Sequence, residues 1–330
     1  MRKEMRKEMR KKLLKTLLLT TMAAVPLQAS NYTFKELMDN SFRHLDLAVN
    51  VGTTGIGFEA STPIGDYLKL RAGFDFMPRF TYDMQFTVQV GDSLESKYDK
   101  NGNRVETKFD RMSGYLEELT GTKVDDTVDM VGEPRFNNFK LIFDVFPFKD
   151  KRWYFSAGFY WGRSQIGYAY NKTEDMSTLM AVSIYNNIYR KVVDGDAIFM
   201  DFELPPDVNK KIKKYGEMGM HVGNHVEDGT PYIMKPDENN MVKAYMYVNA
   251  FKPYLGAGYS GRISKDGRLM FSANLGVLFW GGSPEVYTHD GTEIVNGLTD
   301  VKGQVGRYTD LIRGLKVFPV LNASISYRIF

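Results

Sequence analysis

The last sixteen residues constrain this chain more than any other segment. In Leu315–Phe330 the odd positions read Leu315, Val317, Pro319, Leu321, Ala323, Ile325, Tyr327 and Ile329, while the later even positions are Asn322, Ser324, Ser326 and Arg328. An apolar face opposed to a polar one at a period of two marks a strand with different surroundings on its two sides. Seven further segments alternate in the same way: 44–51, 55–62, 67–77, 136–148, 153–164, 251–263 and 268–280. At 153–164, for example, Trp153, Phe155, Ala157, Phe159 and Trp161 oppose Tyr154, Ser156, Gly158 and Tyr160.

Alternation alone also suits a soluble sandwich, but three features favour a barrel in a membrane. The polar faces are built of Gly, Ser, Asn and charges, and the apolar faces carry rings near the strand ends, as in a lipid-facing band with aromatic girdles around a polar lumen. Segments of about 9–13 residues suit a tilted crossing of the hydrocarbon layer. Every second connection is a tight turn: Pro63-Ile64-Gly65-Asp66, Lys149-Asp150-Lys151-Arg152 and Ser264-Lys265-Asp266-Gly267. Between them lie Thr53-Thr54 and three long connections, at about 80–135, 169–250 and 281–314. Short periplasmic turns with long external loops are the habit of outer-membrane barrels. The expected fold is therefore all-β: an up-and-down antiparallel transmembrane barrel of eight strands over 44–330. Segments 81–90 and 241–250 either lengthen strands above the membrane or raise the strand number to ten or twelve.

The N-terminal end agrees. Residues 1–12 are strongly basic, Leu13–Pro26 is mostly apolar, and small residues surround Ala29, which together predict a secretory signal peptide over 1–29. A periplasmic segment, 30–43, would follow. The chain has no Cys, which excludes a lipidated N-terminus. Residues 1–29 hold a charge of +6, so the remainder stands at −3 although the whole chain is +3. The basic excess thus sits in a segment expected to be removed, and nucleic-acid binding is not expected.

At this point the chain resembles the small eight-stranded outer-membrane barrels of Gram-negative bacteria, the OmpA-transmembrane, OmpX and OmpW type. The residues that carry the likeness are Ser326-Tyr327-Arg328-Ile329-Phe330, Lys252-Pro253-Tyr254-Leu255-Gly256-Ala257-Gly258-Tyr259 and the signal peptide. The resemblance implies that Tyr327 and Phe330 signal to the barrel-assembly machinery, and that lipid and lipopolysaccharide are the surroundings. One departure is that Phe330 is out of phase with Tyr327 and Ile329, because Arg328 stands where an aromatic is usual.

The long connections are not the plain tips of a small barrel. Phe109, Met112, Leu116 and Leu119 share a helical face within 106–120, and 174–191 repeats the pattern with Leu179, Val182, Ile188 and Tyr189. The three connections carry −6, −3 and −2 over 80–134, 169–250 and 282–314, so the external surface is acidic and the barrel with its turns basic.

Motifs with chemical meaning are few. Gly256-Ala257-Gly258-Tyr259-Ser260-Gly261 matches a dinucleotide fingerprint by letter, but a turn and another strand follow where a helix N-terminus is required. Asp99-Lys100-Asn101-Gly102-Asn103 resembles the opening of a calcium loop and reads better as a tight turn. His221 and His225 have the spacing of two helical metal ligands within a glycine-rich stretch, and Asp228 is the nearest third ligand. No cofactor is expected. Ten charges fall on the lumen phase: Asp46, Glu59, Lys69, Arg71, Asp75, Lys140, Asp144, Lys252, Arg262 and Arg328. Eight strands enclose barely enough room for side chains, which favours a paired plug over an ion path.

Three functions follow. The first is a surface-exposed structural or binding role, non-enzymatic, in which the acidic loops meet an extracellular or outer-membrane protein or a glycan. The second is a narrow channel for small solutes. The third is a lipid-modifying enzyme using His289 with Asp290 and Ser283, since His44 would lie at the periplasmic end of the first strand.

Overall fold

The computed structural model describes residues 41–330 apart from 92–94, 122, 196–197, 200–201, 204 and 302. The expected signal peptide, and all but three residues of segment 30–43, lie outside the described residues.

Eight strands close into one barrel: β1 (Asp46–Gly52), β2 (Gly55–Ile64), β3 (Leu68–Phe76), β6 (Asn138–Val145), β7 (Trp153–Gly162), β14 (Phe251–Arg262), β15 (Leu269–Leu278) and β18 (Phe318–Arg328). They neighbour one another in that order around the wall, and β18 returns to β1 with Arg328 opposite Asp46 and Asn322 opposite Gly52. All eight alternating segments of the sequence are strands of this barrel, and every pairing is antiparallel. No edge is left open, so every wall strand hydrogen-bonds on both sides, as a bilayer interior requires.

The turns follow from their residues. In Ser264–Gly267 the Asp266 carboxylate accepts from the Arg268 amide at 3.1 Å, and the Ser264 hydroxyl oxygen accepts from the Leu269 amide at 2.9 Å. Gly267 closes the turn at a φ of 69°, where a side chain would be strained.

The exterior reverses the rule of a soluble core. Val49, Phe58, Phe155, Trp161, Leu275 and Ile325 are all exposed, and they alternate with buried residues such as Asn50, Glu59 and Ser156. A continuous apolar exterior on this scale needs lipid rather than water around it. Rings gather at both of its ends. Trp153, Tyr259 and Phe271 meet near the tight turns, with centroids 5.0 and 5.9 Å apart. Phe139, Phe159 and Phe251 meet near the long connections, at 6.4 and 5.1 Å. From Trp153 to Trp161 is about 26 Å of strand, or on the order of 20 Å of membrane depth once tilt is allowed for.

The long connections fold into a second body, a cap. Its sheet has the order β12 (Pro231–Met234), β11 (Met218–His225), β4 (Tyr82–Val90), β5 (Thr127–Pro134), β8 (Gln165–Asn171), β13 (Lys243–Tyr247), β16 (Glu285–Thr288), and β17 (Leu298–Thr299) pairs with β11. A small hairpin joins β9 (Ile198–Phe199) to β10 (Phe202–Glu203). Four helices accompany the sheet: α1 (Lys108–Thr120), α2 (Met176–Val193), α3 (Pro206–Tyr215) and α4 (Gly303–Gly314). Two of these match the helices expected at 106–120 and 174–191. Segments 81–90 and 241–250 become β4 and β13, which stay out of the barrel. The cap sheet itself was not expected.

One face of the sheet and the helices share a core. Val88, Val128, Met130 and Met220 pack with Phe109, Met112 and Leu116 of α1, with Leu179, Val182 and Ile188 of α2, and with Ile212 of α3. Each such side chain contributes about 1.5–3 kcal/mol on burial, so the cap is a folded unit and not a set of loose tips. α1 starts at a reciprocal cap: the Thr107 hydroxyl accepts from the Asp110 amide at 3.1 Å, and Asp110 accepts from the Thr107 amide at 2.7 Å. The sheet is nearly closed, because the Tyr232 hydroxyl on β12 reaches the Thr288 hydroxyl on β16 at 2.9 Å.

Candidate functional site

The lumen is filled from end to end by side chains that the alternation turns inward. At the level of the tight turns, Asp46 lies 3.2 Å from Arg328 and 3.4 Å from Lys69, with His44 at 3.6 Å. At mid-depth Arg71 grips Asp144 through two nitrogens, at 2.7 and 2.9 Å, and stands 3.5 Å from Glu59. Ser156 donates to the same Asp144 at 2.7 Å, and Tyr154 donates to Asn274 at 2.7 Å. Nearer the cap, Lys140 joins Glu59 at 3.0 Å to Asp75 at 2.9 Å. Asn50 donates to Asp75 at 3.1 Å, and Thr54 of the β1–β2 turn donates to it at 2.8 Å.

Burial makes these pairs strong and mutually dependent. Lys140 is 1% exposed and Asp75 is 0% exposed, so neither has water to replace a lost partner. The pairs do not simply follow the register: Lys69 stands opposite Asp144 but meets Asp46, and Lys140 stands opposite Gly73 but meets Glu59 and Asp75.

Above the charges lies an apolar lid on the lumen. Tyr160, Tyr254, Leu278 and Val320 point inward towards the cap end of their strands, and with Ile142 from the middle of β6 they pack with Phe136, Ile166 and Trp280. Tyr160 and Tyr254 meet edge to face at 5.7 Å, and the Trp280 indole N–H donates to the Leu315 carbonyl at 2.9 Å. The glycines of the 256–261 motif belong to this packing. Gly256 and Gly276 leave room for Tyr254, and Gly258 leaves room for Tyr154. The motif is thus a seat for tyrosine rings on a barrel wall, with β15 and not a helix after it.

Of the ten charges on the lumen phase, eight are in these ion pairs, three in a group around Asp46 and five in the chain Asp144–Arg71–Glu59–Lys140–Asp75. Lys252 is buried at the cap end, where its ammonium donates to Asn138 at 2.9 Å and to the Ala250 carbonyl at 3.2 Å, and sits 5.5 Å from the Phe136 ring centre. Arg262 departs from the expectation: it is exposed at the last residue of β14, because the wall ends there and its side chain follows the turn into water. Tyr327 and Phe330 are both exposed, and the Phe330 carbonyl accepts from the Leu45 amide at 3.3 Å just beyond β18.

The cap carries an open cleft of about 650 Å³ at the seam between β12 and β16, lined by Glu217, His225, Tyr232, Lys235, Asp237, Glu238, His289 and Asp290. Three of its carboxylates, Glu217, Asp237 and Asp290, are engaged. Asp290 accepts from Tyr232 at 2.8 Å, from Thr288 at 2.6 Å and from the Thr292 amide at 3.0 Å. Burial alone would raise Asp290, but these hydrogen bonds hold it below its ordinary value. Asp237 likewise lies below its ordinary value, since Lys243 at 2.6 Å and the Met241 and Asn239 amides outweigh its burial.

His221 and His225 lie on strand β11 and not on a helix, so four residues separate them by about 13 Å along the chain. Among the described residues no group of three His, Asp or Glu side chains is arranged to hold a metal ion. Nor do His289, Asp290 and Ser283 form a relay. Ser283 donates to the Arg313 carbonyl at 2.6 Å, while His289 Nδ1 accepts from the Lys243 amide at 3.4 Å. The Asp99–Asn103 stretch is a turn in which Asp99 accepts from the amides of Asn101 and Asn103 at 2.8 and 2.9 Å.

No protein-family model matches the chain, and no curated protein matches it either. Among solved structures it is similar to two proteins of Acinetobacter baumannii, CarO2 and CarO. Each is 13% identical over 86% of this chain, covering 98% and 97% of those chains, with TM-scores of 0.37 and 0.35. A major outer membrane protein from Thermus thermophilus overlaps at 12% identity over 87% of this chain and 98% of its own, with a TM-score of 0.26. These overlaps are loose; the barrel rests on the strand register and the apolar exterior described above.

Proposed function

We propose that the chain is an outer-membrane scaffold whose barrel is closed and whose cap is a surface-exposed binding module, of the same general kind as the OmpA, OmpX and OmpW barrels. The observation that carries this reading is the occupied lumen: a chain of buried ion pairs crossed by Tyr154, under an apolar lid containing Tyr160 and Tyr254. A solute path would have to break several of these pairs at once, each uncompensated charge costing about 3–5 kcal/mol. Most of the described residues outside the barrel are invested in a cap with its own core, and loops or insertions on a rigid scaffold are where binding residues concentrate.

The test is reconstitution of the folded chain into planar lipid bilayers under an applied voltage. The expected result is no discrete conductance step. Regular single-channel steps that survive dilution and change size when Arg71 is altered would replace this reading with that of a solute channel.

A further inference from the structure

We infer that the tyrosine-bearing outer face of the cap sheet docks the saccharide chain of the glycolipid that surrounds the barrel in the outer leaflet. The inference rests on the reading of the cap as the binding part of the molecule and names what one of its faces meets.

The sheet has two unlike faces. Ala169, Ala244, Met246 and Val286 turn to the cap core. The residues between them form rows on the other side. Glu133, Tyr168, Tyr245 and Tyr287 stand opposite one another in register across β5, β8, β13 and β16. Tyr170 stacks on Tyr168 at 5.2 Å, Tyr168 on Tyr245 at 5.3 Å, and Tyr247 meets Tyr287 edge to face at 6.1 Å. All five rings are partly exposed. Tyr offers a wide, rigid surface with an apolar ring and a polar tip, at little cost in side-chain entropy.

Two observations select the occupant. The first is continuity with the lipid-facing exterior. From Tyr245 and Tyr247 the alternation runs on through Asn249 to Phe251 in the outer aromatic girdle, while Val248 turns inward to the apolar lid. Tyr247 thus stands about 13 Å, and Tyr245 about 20 Å, of extended chain beyond Phe251, or on the order of 10 and 15 Å of height once tilt is allowed for. The headgroup layer of a simple bilayer spans only about 5–8 Å on each side, so only a lipid with an extended sugar chain reaches this height.

The second is charge. Three cations on this face meet carboxylates of their own: Arg135 with Glu133 at 3.2 Å, Lys172 with Asp83 at 3.0 Å and Lys243 with Asp237 at 2.6 Å. A fourth, Arg79, shares Glu133 with Arg135, and Glu285 on β16 adds a carboxylate. Arg135 also lies 5.1 Å over the Tyr168 ring. The face therefore offers rings and hydroxyls and no excess of positive charge, which suits the C–H faces and hydroxyls of sugars better than phosphate groups.

The experiment uses the folded full-length chain in detergent with three probes: lipopolysaccharide with a complete core, lipid A, and delipidated core oligosaccharide. Tyrosine nitration of the wild-type protein is mapped by mass spectrometry, and co-elution is measured for a Tyr168→Thr/Tyr245→Thr/Tyr287→Thr variant. The expected result is at least threefold slower nitration at Tyr168, Tyr245 and Tyr287 with complete lipopolysaccharide and no protection with lipid A. The variant should bind the complete glycolipid at least tenfold more weakly and lipid A unchanged. Equal protection by lipid A, or unchanged binding by the folded variant, overturns the inference. Delipidated oligosaccharide binding as tightly as the glycolipid also overturns it, in favour of a soluble glycan. The wild-type nitration map decides the matter if the triple variant does not fold, and a failure here leaves the conductance result untouched.

Discussion

The ring of Tyr154 occupies the space that a β-carbon on Gly258 would need. The two residues stand opposite each other in register on β7 and β14, and a β-carbon built on Gly258 would lie 2.4 Å from the ring. The ring can then run across the lumen and bring its hydroxyl to Asn274.

Gly258→Ala should accordingly destabilise the barrel by about 1–3 kcal/mol, the usual cost of overpacking a filled interior. The measurement is the urea midpoint of the folded, heat-modifiable form in micelles. Gly114→Ala is the contrast: Gly114 sits in α1 with nothing within 4 Å of an added β-carbon, so that change should be neutral or slightly stabilising. Equal losses in both variants would show that Tyr154 does not depend on the glycine.

Arg71 holds two carboxylates at once, Asp144 and Glu59. Arg71→Met leaves Asp144 buried without a cation and Glu59 with Lys140 alone, and is expected to cost about 3–5 kcal/mol. The triple change Glu59→Gln/Arg71→Met/Asp144→Asn removes the charges together and should recover most of that loss. Equilibrium unfolding of both variants in the same detergent checks the comparison. A triple variant as weak as the single one would mean that packing, and not charge, sets the stability of the plug.

The cap should be acid-sensitive. Asp290 and Asp237 both sit below the ordinary carboxylate value of 3.8 despite burial, through hydrogen bonds and the Lys243 ammonium. A depressed folded value means that their stabilisation is complete above 3.8 and is lost as the pH falls through the folded values. Near-ultraviolet circular dichroism followed from about pH 6 to about pH 2 should show cap tyrosine signals fading first, with Asp290→Asn flattening the transition. A transition unaltered in that variant would place the sensitive groups elsewhere.

The start of α1 offers a smaller, cleaner test. Thr107→Ala removes one half of the reciprocal cap with Asp110 and should cost the cap about 1 kcal/mol. Differential proteolysis would read this as faster cleavage within the cap, while the gel shift of the barrel stays as in the wild type.

The barrel was legible in the sequence because lipid and lumen differ so sharply. Leu321 and Ile325 face one, Asn322 and Ser324 the other, and an up-and-down order of eight such segments puts the three tight turns at one end. The charged set of the lumen was also visible, but not its pairing, since Arg71 meets Glu59 and Asp144 across three different strands. Arg262 was misplaced because phase alone does not tell where a strand ends. The cap sheet was hidden for a different reason. β11 reads Met-Gly-Met-His-Val-Gly-Asn-His, and glycine usually argues against a strand. Gly219 and Gly223 are needed there because the backbones of Met234 and Thr299 come within 2.8 and 2.7 Å of where a β-carbon would be. Close approach of neighbouring backbones leaves no trace in local periodicity.

The cap strands are not tethered to the wall by slack chain. Only Arg163 and Ser164 separate β7 from β8, and only Val248–Ala250 separate β13 from β14, whose chains are bonded across the gap by Val248 to Ser164 and by Gly162 to Ala250. The cap therefore has no slack at these two crossings, which opposes swivelling about the axis of the barrel. Every copy holds its outward rows at one height and one angle to the cell surface. A ligand that finds such a row meets a surface already oriented, so the orientational entropy that a tethered module would lose on contact is absent from its affinity.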